Sequence, residues 1–352
     1  MKKSILILFC FVLLGIGVSA QDVHFSQYYA SPLTLNPALT GKFNGVYRVT
    51  AIYRDQWRAT QNTNAYMTPS ASVDFSLFKH KLKTDAFGIG IVALYDKVAQ
   101  LQTMKAGLSV AYHKGLDKKG NYHLALGMQA NYINRSIGDD LYFEDEIIDP
   151  TLTQSQDEDL LSGADHSVDM NVGGFFDAKF TDWMTFYAGY TYFNLLKHED
   201  DLIDNTTGDG VGETPGRHVI HGGMEFEIAK KWLVIPGALY QTTVKAKEVN
   251  MGVTFGYKLM SQKQKTTTLL LGGWYRMATN SIGNNGAAIV KGGVDFQNFR
   301  ITGAYDFGLA QLNQDSKDAV GKMPNAFEIA ISYFAGQQTS PKTNTYLFNP
   351  RF

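Results

Sequence analysis

Three side chains of the stretch HGGMEFE, His221, Glu225 and Glu227, recur at alternate positions and so share one face of an extended chain. An imidazole beside two carboxylates is a minimal set for general acid and base chemistry. Nothing elsewhere in the chain extends it. No HExxH, GxSxG or zinc-spaced histidine pair occurs, and the glycines form no phosphate-cradling loop. The stretch 139–165 carries ten carboxylates and no Lys or Arg, and 195–216 contains DDLIDNTTGDGVGE. Neither has the ligand spacing of a calcium loop, and both are expected as solvated surface loops. The sequence therefore points to no catalytic residue, no metal ligand set and no cofactor. A net charge of −1 gives no global pull towards nucleic acid.

The face that His221 shares with its neighbours has to be supplied by a strand, and alternation is the dominant pattern of the whole chain. In AFGIGIVALY, Phe87, Ile89, Ile91, Ala93 and Tyr95 fall on one side and small residues on the other. NYHLALGMQANY, VNMGVTFGYKL and AFEIAISYF repeat the arrangement. Fourteen such segments are expected, near 46–54, 70–78, 86–95, 103–113, 121–133, 167–180, 183–194, 217–228, 231–242, 248–259, 267–277, 287–297, 299–309 and 325–334. Segments of about ten alternating residues with aromatic ends are the pattern of an outer-membrane barrel, whose tilted strands cross lipid in ~9–11 residues.

A soluble β-sandwich also alternates, and the connections decide between the two. Short, often basic turns (KHKLKT, GLDKKG, SQKQKT) alternate with generally longer ones (55–69, 134–166, 195–216, 278–286, 310–324, with 96–102 and 243–247 the shortest). An up-and-down barrel with tight periplasmic turns and long extracellular loops predicts this alternation. The expected fold class is thus all-β: a transmembrane barrel of about 14 antiparallel strands over residues 44–334. Arg48, Asp74, Lys105, Asp169, Asp177, Lys179, Glu225, Lys291, Asp295, Arg300 and Asp306 then face the lumen. Pro236, inside WLVIPGALY, calls for a bulge in its strand.

The ends of the chain read differently. Residues 1–20 have the form of a signal peptide: Lys2 and Lys3, an apolar core over 5–18, and small residues at Val18-Ser19-Ala20. The only cysteine, Cys10, lies inside that core, so the exported chain is expected to carry neither disulfide nor thiolate site. The next stretch, QDVHFSQYYASPLTLNPALTG, holds Phe25, Tyr28 and Tyr29, yet Pro32 and Pro37 prevent a regular helix or central strand. Residues 335–352 are expected as a periplasmic tail in which Tyr346, Phe348 and Phe352 dock.

HFSQYYASPLTLNPALTG, followed by YRDQW, resembles the start of the PorP/SprF family of Bacteroidetes type IX secretion proteins. The matching residues are Phe25-Ser26-Gln27-Tyr28, Pro32-Leu33, Asn36-Pro37-Ala38 and Gly41, then Tyr53-Arg54 and Gln56-Trp57, with the terminal Asn349-Pro350-Arg351-Phe352. The resemblance implies an outer-membrane component without enzyme activity. Its implied partners are ring components of the secretion machine or a secreted adhesin of gliding bacteria. A passive porin-like solute channel is the alternative.

Residues 21–43 precede the first strand and are expected to start on the periplasmic side. Irregular backbone cannot face lipid. Phe25, Gln27, Tyr28, Tyr29, Pro32, Asn36 and Pro37 are therefore expected to plug the lumen or to bind a partner. Trp57, past the first strand, either folds inward or anchors at the interface.

Overall fold

The computed structural model describes residues 24–58, 66–79, 82, 84–98, 100–137, 164–196, 214–244, 246–259, 267–280, 283–309, 325–336 and 347–351. The signal segment, most of the acidic stretch 139–165, most of 195–216, the connection 310–324, Tyr346 and Phe352 lie outside them.

Fourteen strands follow one another: β1 (Tyr47–Gln56), β2 (Tyr66–Leu77), β3 (Ala86–Val98), β4 (Leu101–Gly115), β5 (Tyr122–Ile137), β6 (Ala164–Thr181), β7 (Met184–Phe193), β8 (Arg217–Ile228), β9 (Trp232–Thr242), β10 (Lys247–Leu259), β11 (Thr267–Asn280), β12 (Gly283–Phe296), β13 (Phe299–Gly308) and β14 (Asn325–Ala335). Each pairs antiparallel with the next, and β1 pairs with β14 from Tyr47↔Ala335 to Gln56↔Ala326, closing the barrel. Closure leaves no sheet edge and satisfies the backbone within lipid. β1 starts and β14 ends at one rim, the tight-turn rim, and the longest connections lie at the opposite, long-connection rim. Val98–Leu101, Thr242–Lys247 and Asn280–Gly283 are also short there, so the expected alternation of length holds only in part. The loop expected at 278–286 shrinks to two residues.

The alternation seen in the sequence is the inside–outside pattern of the wall. Along β14, Ala326, Glu328, Ala330, Ser332 and Phe334 are buried inwards, while Phe327, Ile329 and Ile331 are exposed outwards. β5 places His123, Gln129 and Asn131 inside and Leu124, Leu126 and Met128 outside. Polar residues inside and apolar ones outside reverse the soluble pattern, and such a wall is stable where its outer surface meets lipid.

Two prolines lie within strands. Pro236 of β9 stays in register with β10, opposite Val253. On its other side the β8–β9 ladder passes from Gly223↔Gly237 to Phe226↔Val234, with the two intervening pairs absent. The register resumes unchanged, so the expected bulge is not there: the missing N–H is absorbed by a gap. Pro69, expected to precede its strand, lies inside β2 and interrupts β2–β3 between Met67↔Lys97 and Ser70↔Leu94. There a side-chain bond from Thr68 Oγ1 to Asp96 Oδ1 (2.6 Å) spans the gap. The register shift is instead at Lys179/Thr181, between β6 and β7. Lys179, expected in the lumen, is instead exposed at the strand end next to this shift, where it pairs with Asp182 at 2.9 Å.

Candidate functional site

The lumen is not empty. Residues 24–43 run through it as a chain of tight turns: a 3-10 turn at Tyr28–Ala30, one α-turn at Pro32–Leu35 and a second 3-10 turn at Pro37–Leu39. Each of the last two turns opens on its proline, whose fixed φ suits that position and whose missing N–H costs nothing there. Asn36 caps the last turn, its Oδ1 accepting from Ala38 N at 2.9 Å. Turns this short do not persist alone in water. Burial holds them: from Phe25 to Phe43 only Ala30 and Thr34 are not fully buried.

The His24 end lies towards the long-connection rim, because Arg54, Glu248, Asp306 and Glu328, its partners, stand near those ends of their strands. His24 Nε2 is 3.0 Å from Glu248. Ser26 is the hub. Its N–H donates to Glu328 Oε1 (2.6 Å) and its hydroxyl donates to Asp306 Oδ2 (2.6 Å). The same hydroxyl accepts from Arg54 (2.8 Å) and Arg276 (3.0 Å), and its carbonyl accepts from Lys291 (2.6 Å) and Asn250 (3.5 Å). The next amide, of Gln27, donates to Glu328 Oε2 at 2.9 Å. Arg54 also pairs with Glu328 and Asp306, and Arg276 with Asp306 at 3.0 Å. The cations and anions balance inside the wall itself, as buried charge requires.

In the middle of the lumen the tyrosines meet aromatic wall residues. Tyr28 lies edge-on to Trp274 (5.8 Å) and Tyr29 edge-on to Tyr187 (5.6 Å). Lys291 Nζ lies 3.8 Å over the Trp274 ring. Both nitrogens of His221 are engaged by the segment: Nδ1 with Tyr29 OH (2.8 Å) and Nε2 with Asn36 Nδ2 (3.0 Å). Because Asn36 Oδ1 caps Ala38 and its Nδ2 also donates to Gly174 O (3.0 Å), the amide orientation is fixed. Nε2 of His221 therefore accepts, Nδ1 carries the proton, and that N–H donates to the Tyr29 oxygen. His221 is a holding group rather than a base.

The wall makes room with a ribbon of small residues. Gly88, Ala111, Gly127 and Gly173 stand opposite one another across β3, β4, β5 and β6. A Cβ on Gly127 would collide with the Pro37–Ala38 backbone, on Gly88 with Thr40, and on Gly173 with Asn36. Thr191 donates to Leu35 O (3.1 Å), His113 Nε2 to Thr40 O (2.7 Å), and Thr40 Oγ1 bonds Ser109 Oγ (2.6 Å).

The segment leaves at the tight-turn rim. Arg48, bound to Asp74 at 2.8 Å, donates to Leu39 O (3.1 Å), and Asp74 accepts from Gly41 N (2.7 Å). Lys42 pairs with Asp177, which His123 also faces at 3.3 Å. In the β2–β3 turn, Lys79 donates to the carbonyls of Phe43 and Gly45. Burial, with Lys42 and Arg48 nearby, lowers the Lys79 amine from 10.5 to about 7, against the pull of Asp74.

The described part of the C-terminal tail joins the segment inside. Phe348 packs on Tyr187 (5.2 Å), Asn349 Oδ1 accepts from Arg48 (3.2 Å), and Arg351 pairs with Glu225 (2.8 Å) and Asp295 (3.2 Å). The described residues of the tail thus dock within the barrel end, where inward charges await them.

Phe25, Gln27, Tyr28, Tyr29, Pro32, Asn36 and Pro37 all lie buried in the lumen. The segment meets the tight-turn rim only at its Phe43 end; the opposite end reaches the other rim. Trp57 is apart from them: it is half-buried, at φ 60°, with its ring 4.9 Å from Tyr66. Lys105, Asp169 and Arg217 line a recess of about 50 Å³ above Leu33 and Thr34. Ser26 and its wall partners Arg54, Arg276 and Glu328 were not singled out by sequence as a site. Inward parity marks the wall charges, but only register brings them to one serine.

A family model, "Type IX secretion system membrane protein PorP/SprF", matches residues 17–333. No curated protein matches the chain. Among solved structures it is similar to a TodX monoaromatic hydrocarbon channel variant (TM-score 0.53, 12% identity, 89% of this chain and 95% of that one). It is similar also to the CymD monoaromatic hydrocarbon channel (0.51, 11%, 92% and 96%). A FadL homologue of Pseudomonas aeruginosa matches at 0.50 and 12% identity, over 87% and 94%. At these identities the likeness is one of fold.

Proposed function

Since the chain belongs to the PorP/SprF family of type IX secretion system membrane proteins, we propose that it serves secretion as a non-enzymatic outer-membrane component whose resting barrel is shut. Its partner is either a ring component of the secretion machine or a surface adhesin exported in gliding motility. The observation that carries this reading is the lumen, filled from Phe25 to Phe43 and clamped at both rims by buried charge. A passive channel needs a continuous water path, and among the described residues the segment crosses the bore. A hydrolase needs a nucleophile beside a free base, and both nitrogens of His221 are committed. Residues 1–20 act as the export signal.

Affinity purification in mild detergent from native outer membranes tests the proposal, with planar-bilayer recording of the same preparation. Co-purifying ring proteins or one large adhesin, with no stable conductance, is the expected result. The barrel alone, with steady ion conductance, would favour the channel.

A further inference from the structure

Seven main-chain groups of residues 24–43 are held by the strands of the wall. Side chains of the strands engage the N–H groups of Ser26, Gln27 and Gly41. They engage the carbonyls of Ser26, Leu35, Leu39 and Thr40. Main-chain groups are common to all polypeptides, so a surface that reads them reads peptide as a class. Side-chain recognition is added at His24, Tyr29, Thr40 and Lys42, and most densely at two points: a hydroxyl between Asp306, Arg54 and Arg276, and a carboxamide against His221 and Gly174.

A second feature bears on permanence. Apolar packing seals a bore at least as well as buried ions do, and ions are costly when left unpaired. Here three wall pairs are made within the wall, Arg54 with Glu328, Arg276 with Asp306 and Arg48 with Asp74, while Asp177 and Glu248 pair with Lys42 and His24 of the segment. Withdrawing the segment strands none of the six charges in the three wall pairs. The ribbon Gly88, Ala111, Gly127 and Gly173 also leaves a track that takes the backbone at Gly88 and Gly127 and the Asn36 side chain at Gly173.

We infer that the lumen is a polypeptide-binding site that residues 24–43 occupy in cis, and that a polypeptide presenting a serine hydroxyl and an asparagine at the same spacing exchanges with them. This goes beyond the secretion reading and does not depend on it, since the two are tested on different measurements.

The full-length chain carrying Ser31→Cys in detergent reads exchange directly, because position 31 is buried and Cys10, the only natural cysteine, lies in the expected signal segment. The probe is a synthetic peptide of residues 24–43, and the readout is the rate of labelling by a hydrophilic maleimide. Excess peptide is expected to raise the rate saturably. A Ser26→Ala peptide should need about tenfold more or worse, as hydrogen bonds to charged groups are strong. A scrambled peptide should do nothing. A rate indifferent to the native peptide, or raised equally by the scrambled one, overturns the inference. If Ser31→Cys does not fold, Thr34→Cys, at a half-buried position, reads the same exchange.

Discussion

Asn36 makes the clearest residue-scale case. It closes a turn with one amide atom and joins two strands with the other. Asn36→Ala should lower stability by about 1–3 kcal/mol, the usual cost of orphaned buried partners, and the urea midpoint in detergent measures it. Lys79 gives a pH dependence. Its amine titrates near 7 in the folded chain and near 10.5 unfolded. Between those values the unfolded chain holds the extra proton, so stability rises with pH across that window. Lys79→Met should flatten the rise from pH 7 to pH 10; an unchanged slope would refute the shift. Asn36 was legible through its motif, whereas His221 invited a catalytic reading. Their contact joins residues 185 apart and leaves no local trace.

At the scale of elements, the strands were legible because each must present two chemically different faces, and a period of two survives any choice of side chain. The prolines were harder. Pro69 and Pro236 are tolerated by losing ladder pairs on one side, which local sequence does not announce. The glycines were visible but mute, because their role depends on the registers that align Gly88, Ala111, Gly127 and Gly173. Gly127→Leu should leave the barrel closed and drive the segment off its track. The expected consequence is ion conductance in a planar bilayer where the unaltered chain shows none. A silent Gly127→Leu barrel would mean that the track is not what seats the segment.

For the whole molecule, the strand order puts the start of β1 and the end of β14 at one rim, which is expected to face the periplasm. A thiol replacing His24 should react with an impermeant maleimide on intact cells, as should a tag in 195–216. A thiol replacing Lys118, in the β4–β5 turn, should not. The reverse pattern would invert the barrel. The path of the segment from one rim to the other was not legible, since the sequence shows only that it precedes β1.

Ser26 touches β10, β11, β12, β13, β14 and β1, six neighbours that straddle the β1–β14 seam. A two-residue slip of β14 would carry Glu328 about 7 Å along the wall, far outside reach of the Ser26 amide. The early segment therefore acts as a gauge for the last strand to pair. A cylinder closed out of register loses the serine that knits its charges together.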